Sequence, residues 1–166
     1  FDWTTLHEIA HAIDDRKGFM RDNGKQDIYG GWAVYGADVS IPAAEAGKKF
    51  NFKTVDAITY IKGLMLAAPG AANRPATKPA KPDDRTVAEW AQAQKDVEDW
   101  VETLREGKKP WYSAPQDIDG RIYHEAYYTD GVTWVSYLKS ARGKGVKGYQ
   151  FRAPGEWFSE LYAAYH

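Results

Sequence analysis

Thr4-Thr5-Leu6-His7-Glu8-Ile9-Ala10-His11-Ala12-Ile13-Asp14-Asp15 is the stretch whose reading decides this chain, because its centre has the spacing HExxH. On a helix, residues four apart stand one turn apart with Cβ atoms about 5–6 Å from each other. The imidazoles of His7 and His11 can then reach one zinc ion at about 2.0–2.1 Å, while Glu8 projects beside the metal. Leu6, Ile9, Ala10 and Ile13 have the i, i+3, i+4, i+7 spacing of a buried stripe, and Thr4, His7, His11 and Asp14 line a neighbouring face. The expectation is an amphipathic helix that packs on its apolar stripe and offers ligands from the adjacent face. Half of a zinc site follows, and with it metal-assisted hydrolysis as the chemistry to test.

Composition narrows the remaining choices. The chain has 166 residues, 43% of them hydrophobic and 14% aromatic, which is ample for one globular core. A formal charge of −1 gives no general attraction to nucleic acid or anionic membrane, and no apolar run is long enough to span a bilayer. With no cysteine, disulfides and thiolate ligands are excluded, so any zinc must be held by nitrogen and oxygen. A first residue Phe1 in place of Met, six positions before His7, reads as a fragment or processed product. His166 is given no role.

Outward from the motif, Gly18 to Gly36 reads as turns with a short strand among Tyr29, Trp32 and Tyr35. Thr54 to Ala67 reads as a helix capped by Thr54 and stopped by Pro69-Gly70. Ala71 to Asp84, carrying Pro75, Pro79 and Pro82, reads as an exposed, partly extended loop. A capping box of Thr86 and Glu89 starts a helix to Glu106, with Gly107 as its stop and Val87, Trp90, Val97, Trp100, Val101 and Leu104 on one face. Gly120 to Tyr128 alternates as a strand, whereas Trp134, Val135, Leu138 and Ala141 give Val132 to Ala141 helical spacing. Lys139, Arg142, Lys144, Lys147 and Arg152 read as a solvated basic loop, with contact to an acidic substrate as the alternative. The fold class expected is α+β, predominantly helical.

A catalytic zinc needs a third protein ligand and one open position. Asp14 and Asp15 lie too close to His11, and Asp14 is better placed to orient a ligand or to cap a neighbour. Near the far end, Pro154 starts a helix on which Glu156 and Glu160 fall one turn apart among Trp157, Phe158, Leu161 and Tyr162. Burying an unpaired carboxylate costs several kcal/mol, about what a metal bond for one acid and an imidazole N–H for the other would offset.

These two islands, roughly residues 4–19 and 148–165, together resemble the gluzincin metalloproteases of the anthrax lethal factor type, a family that includes the bacterial Pro-Pro endopeptidases. The resemblance rests on the HExxH helix running into Asp14-Asp15, on Glu156 followed by Trp157 and Phe158, on Glu160 one turn later, and on Tyr149 seven residues before Glu156. It implies a single zincin-like metalloprotease domain over 1–166, with an active-site helix, a C-terminal ligand helix, and an inserted segment at about 24–147. It further implies that His7, His11 and Glu156 hold Zn²⁺, that Glu8 is the general base, and that Tyr149 faces the metal and donates to the oxyanion. Glu160 and Asp14 would orient the ligands, and the partner would be a protein or peptide substrate of an exported or toxin-like protein.

Two features depart from the family pattern. His11 and Glu156 are 145 positions apart, against a few tens in the family, so much of the middle reads as an insertion of unknown purpose. There is no room before the motif for the family's small β-sheet, so either that half was removed or the middle segment replaces it. A second function class, a zinc-containing binding or interaction module without activity, remains beside the endopeptidase reading. His124 reads as a structural imidazole, with an auxiliary oxyanion donor as the alternative.

Overall fold

The computed structural model describes residues 2–68, 71–105, 117–127 and 131–166. Six helices, α1 (Trp3–Lys17), α2 (Phe19–Asn23), α3 (Ser40–Lys49), α4 (Val55–Leu66), α5 (Val87–Leu104) and α6 (Pro154–Tyr165), accompany three strands, β1 (Ala33–Gly36), β2 (Arg121–Glu125) and β3 (Trp134–Leu138), with short 3-10 turns between. The class is α+β, mainly helical, with one small sheet. No helix among the described residues is long and apolar enough to cross a membrane.

Local chemistry sets the ends of α1. Asp2 accepts the Thr5 N–H at 2.8 Å as its N-cap, and Arg16 and Lys17 in the last turn suit the negative end of the helix dipole. Gly18 stops it in the left-handed region at φ 64°, a conformation that costs glycine little, and its N–H returns to the Asp14 carbonyl. The chain then turns directly into α2, whose first turn is capped by Asp14: Oδ1 accepts the Met20 N–H at 2.8 Å.

Of the stripe expected to bury α1, only Ala10 is fully buried. Ile9 is 39% exposed and Leu6 and Ile13 are half-buried, whereas His7, Ala10 and Asp14 are buried. Most of the packing of α1 is against α6, and the polar face is inward because α6 presents carboxylates that pair with it. The motif helix therefore buries His7, half-buries His11 and leaves part of its apolar stripe to solvent.

The sheet is antiparallel throughout, in the order β1-β3-β2. Val132 to Ala141 is thus not a helix; its centre is the middle strand, followed by a 3-10 turn over Lys139–Lys144. A central strand covered on both faces is apolar at successive positions, and over so short a run that pattern mimics a helix. Ser136, the one polar residue of the strand's buried run, stands 3.0 Å from both the Tyr35 hydroxyl and Arg121 Nε, in a bonded network. The Gly120–Tyr128 strand is present as β2, with Tyr128 outside the described residues.

Alternation along the strands divides the interior in two. Tyr123 and Trp134 point into a core built by α3, α4 and α5, where Val39, Phe52, Ile61, Met65, Trp90, Val97, Trp100 and Leu104 are buried. Ile122, Val135 and Tyr137 point the other way, into a core with Met20, Trp32, Phe151 and Trp157. This second core lies under α6. The middle segment, expected as an insertion of unknown purpose, thus contributes a sheet whose second face supports the C-terminal helix.

Thr54 caps α4 through the Ala57 N–H, and the Thr86–Glu89 box caps α5 reciprocally. Pro69-Gly70, Glu106 and Gly107 fall outside the described residues. Val87 does not join the buried stripe of α5, being 74% exposed at its first position. The Pro-rich segment 71–84 is largely exposed as expected, and is fastened to α5 where Trp90 Nε1 donates to the Pro79 carbonyl and Arg74 reaches Glu98 at 3.6 Å. The helix α3 had no counterpart in the sequence reading.

Trp134 is fully buried, stacks on Trp100, and donates its indole N–H to the Met65 carbonyl at 3.0 Å. Trp134→Ala is expected to cost about 3–5 kcal/mol, read as a lowered midpoint in urea unfolding. A loss under about 1 kcal/mol would show that the two cores do not depend on this strand.

Candidate metal centre

Two helices build the site. From α1, His7 and His11 project one turn apart with ring centroids 4.7 Å from each other and planes at 77°, bringing their Nε2 atoms to 3.1 Å. From the first turn of α6, which begins at Pro154, Glu156 brings Oε2 to 3.0 Å from His7 Nε2 and 3.3 Å from His11 Nε2. An acid in that first turn is also favoured by the helix dipole.

The triangle of donor atoms has edges of 3.0–3.3 Å. Four-coordinate zinc with ligands at about 2.0–2.2 Å separates neighbouring donors by roughly 3.3–3.6 Å, so the group fits a metal after a small expansion. Two imidazoles and one carboxylate are also the right donor set for a chain without thiolates. Glu156 Oε2 is buried and, despite the two nearby ring nitrogens, accepts no aligned hydrogen bond. The short distances therefore reflect donor atoms converging on one point, where a cation would satisfy all three. His7, His11 and Glu156 together form a possible metal-holding group.

Behind the triangle, Glu160 is 4% exposed and brings Oε1 to 3.1 Å from His7 Nδ1. The contact is not an aligned hydrogen bond; with a metal on Nε2, the ring proton would stand on Nδ1, on the side of this carboxylate. Lys147 Nζ stands 3.9 Å from the other oxygen of Glu160 and 3.6 Å from the centre of the Trp3 ring. The hydrogen bond of Asp14 goes to Met20, so it acts as the cap of a neighbouring helix, and its Oδ2 and His11 Nδ1 both lie within 4 Å of where a Cβ on Gly155 would be.

A cleft of about 200 Å³ opens beside His7, lined by Trp3, Thr4, Glu8, Tyr149 and Glu160. Glu8 is exposed there, and Tyr149 sets its ring edge-on to His7 with centroids 5.9 Å apart. Tyr149 sits in the 3-10 turn Gly148–Phe151 just before α6. Buried Gln150 fixes that turn by accepting the Val146 N–H at 2.8 Å. Gly145 is required close by, since a Cβ there would stand 2.7 Å from the Phe151 ring.

His124 lies elsewhere, 1% exposed between Trp32 and Tyr137, with Nδ1 2.8 Å from the Glu125 carbonyl. Burial pushes its pKa down to about 4, with Arg142 acting in the same direction. It does not line the cleft, which matches the structural reading of this residue. The basic cluster is only partly the solvated loop expected: Lys144 is exposed and Lys139 pairs with Asp117, but Arg142 packs against Tyr137 and Arg152 is buried. Trp3 was missed by sequence reasoning, although it lies one turn before His7 on the ligand face and so carried a usable signal.

Comparisons of the chain with protein-family models, curated proteins and solved structures find no match.

Two outcomes follow from this geometry. Glu160→Gln should weaken zinc binding by about 10–100-fold in competition with a chelating dye; unchanged affinity would remove Glu160 as the group that orients His7. For His124, the unfolded value near 6.5 lies above the folded value of about 4. Its contribution to stability is thus fully present above pH 6.5 and is lost as pH falls toward 4. Unfolding free energies measured across that range should fall with acid, and His124→Phe should flatten the fall.

Proposed function

We propose that this chain is a zinc-dependent endopeptidase domain. The observation that carries the reading is the convergence of His7 Nε2, His11 Nε2 and Glu156 Oε2 at 3.0–3.3 Å beside a cleft that also exposes Glu8. Three protein donors leave the fourth position that a catalytic zinc needs, whereas a structural zinc is closed by four protein ligands. The α+β class, with the motif on one helix and Glu156 on a second packed against it, is compatible with a zincin-like arrangement of the gluzincin kind, akin to the lethal factor and Pro-Pro endopeptidase family. Action outside the producing cell follows from that resemblance.

Zinc held by these three residues would supply a Lewis acid that lowers the pKa of water toward neutrality and polarises the scissile carbonyl. Glu8 takes the proton of the attacking water and passes it to the leaving amine nitrogen. Tyr149 donates its phenolic O–H to the oxygen on which charge develops as the carbonyl is attacked. Glu160, 3.1 Å from the second ring nitrogen of His7, would orient that ring once Nε2 is bound to the metal.

Metal analysis of the parent protein and Glu156→Gln, with digestion of a mixed peptide library by the parent and Glu8→Ala, tests the reading. About one zinc per chain is expected in the parent and in Glu8→Ala, with loss in Glu156→Gln and cleavage only by the parent. Tyr149→Phe should keep zinc and cleave about 10²–10³-fold more slowly. Zinc without cleavage would favour a binding module, and absence of zinc would remove the reading at its first step.

A further inference from the structure

Arg152 is a buried charge that the peptidase chemistry leaves unused. It is 5% exposed and closes the 3-10 turn that carries Tyr149. Its guanidinium carbon stands 3.0 Å from the centre of the Tyr127 ring and 4.1 Å from that of Tyr149, so the cation lies against two phenol faces. The backbone repeats the connection: Arg152 N–H donates to the Tyr149 carbonyl at 3.1 Å, and Tyr127 N–H donates to the Arg152 carbonyl at 3.3 Å. Tyr127 lies two residues beyond the end of β2, so this one side chain joins the end of the sheet to the wall of the cleft.

Taking a guanidinium out of water is costly, and aromatic faces recover part of that cost through cation–π attraction, which strengthens with desolvation. A planar guanidinium can stack on a ring, which the tetrahedral ammonium of Lys cannot do. Tyr149 is thereby held on one side by the His7 ring at 5.9 Å and on another by Arg152. An oxyanion donor aids the transition state only if it is already aimed, since reorganising it during reaction cancels the gain.

We infer that Arg152 is a positioning residue for Tyr149, fixing the phenol at the cleft wall beside the His7–His11–Glu156 centre. The inference rests on the peptidase reading for its effect on rate, and on geometry alone for its effect on Tyr149. In the full chain, Arg152→Gln should keep its zinc and lose about tenfold or more in kcat, up to the loss seen in Tyr149→Phe, with KM little changed. In a Tyr149→Phe background the same substitution should cost nothing further, because its route of action is gone. Arg152→Lys, which keeps the charge without the planar stack, should recover only part of the rate.

The second readout is ¹⁹F NMR of the chain labelled with 3-fluorotyrosine, the Tyr149 signal being assigned by its loss in Tyr149→Phe. That signal should shift or broaden in both Arg152 variants. An unmoved signal, or rate losses that multiply in the double variant, would overturn the inference. Should the parent cleave no peptide, the peptidase reading fails, while the Tyr149 signal still decides whether Arg152 holds the ring. Should Arg152→Gln fail to fold, the lysine variant supplies both measurements.

Discussion

Pairing between α1 and α6 is the contact on which the rest depends, and it is polar at its centre. His7 and Asp14 from one helix and Glu156 and Glu160 from the other are all buried there. Helix pairs of globular proteins normally meet through apolar stripes. Here three carboxylates are taken out of water, at a cost that only well-placed partners offset. Asp14 is satisfied by the Met20 N–H, whereas Glu156 Oε2 faces two imidazole nitrogens without an aligned hydrogen bond, and a cation shared by the three donor atoms would satisfy it. A metal held by His7, His11 and Glu156 would stabilise the pairing of the two helices, since whatever binds only the paired form stabilises it.

A polar contact of this kind cannot hold two helices by itself, and the second core supplies what it lacks. Trp157, one residue beyond Glu156, packs edge-on to Phe151 and Trp32, while Phe151 rests on Tyr137 of the central strand. The sheet therefore fixes α6 from behind while α1 meets it from the front. The other core, under α3, α4 and α5, joins this arrangement through Tyr123 and Trp134, which share strands with Ile122 and Val135. Stability built far from the cleft reaches the ligands through the pleat of a three-stranded sheet.

What could be read in the sequence was whatever depends on near neighbours along the chain. The turn spacing of His7 and His11, the reciprocal cap at Thr86 and Glu89, Pro154 at a helix start and the paired acids after it are all local, and each is present as read. The burial of α1 was misread because Leu6, Ile9 and Ile13 look like a core stripe until α6 is known to bring carboxylates to the opposite face. The central strand was misread for a related reason: Trp134, Val135 and Tyr137 are buried by different layers, and a sequence does not mark which side a residue faces. Arg152 looked like one more cation in a basic loop. Its burial depends on Tyr127, 25 positions away, and no spacing rule joins the two.

The same contrast bears on how the cleft is made. Its floor comes from one short helix turn, with Trp3, Thr4, His7 and Glu8 all within six residues, so its chemistry is set locally and early. Its wall comes from the turn before α6, where Lys147 reaches back to Trp3 and Glu160 while Arg152 reaches forward to the sheet. Two cations of one segment thus tie Tyr149 to opposite sides of the fold. A side chain on an unsupported loop would sample many rotamers and lose much of its value as a donor. Anchoring that loop accounts for two of its cations, Lys147 and Arg152, whereas Lys139 and Arg142 pair with Asp117 and Tyr137.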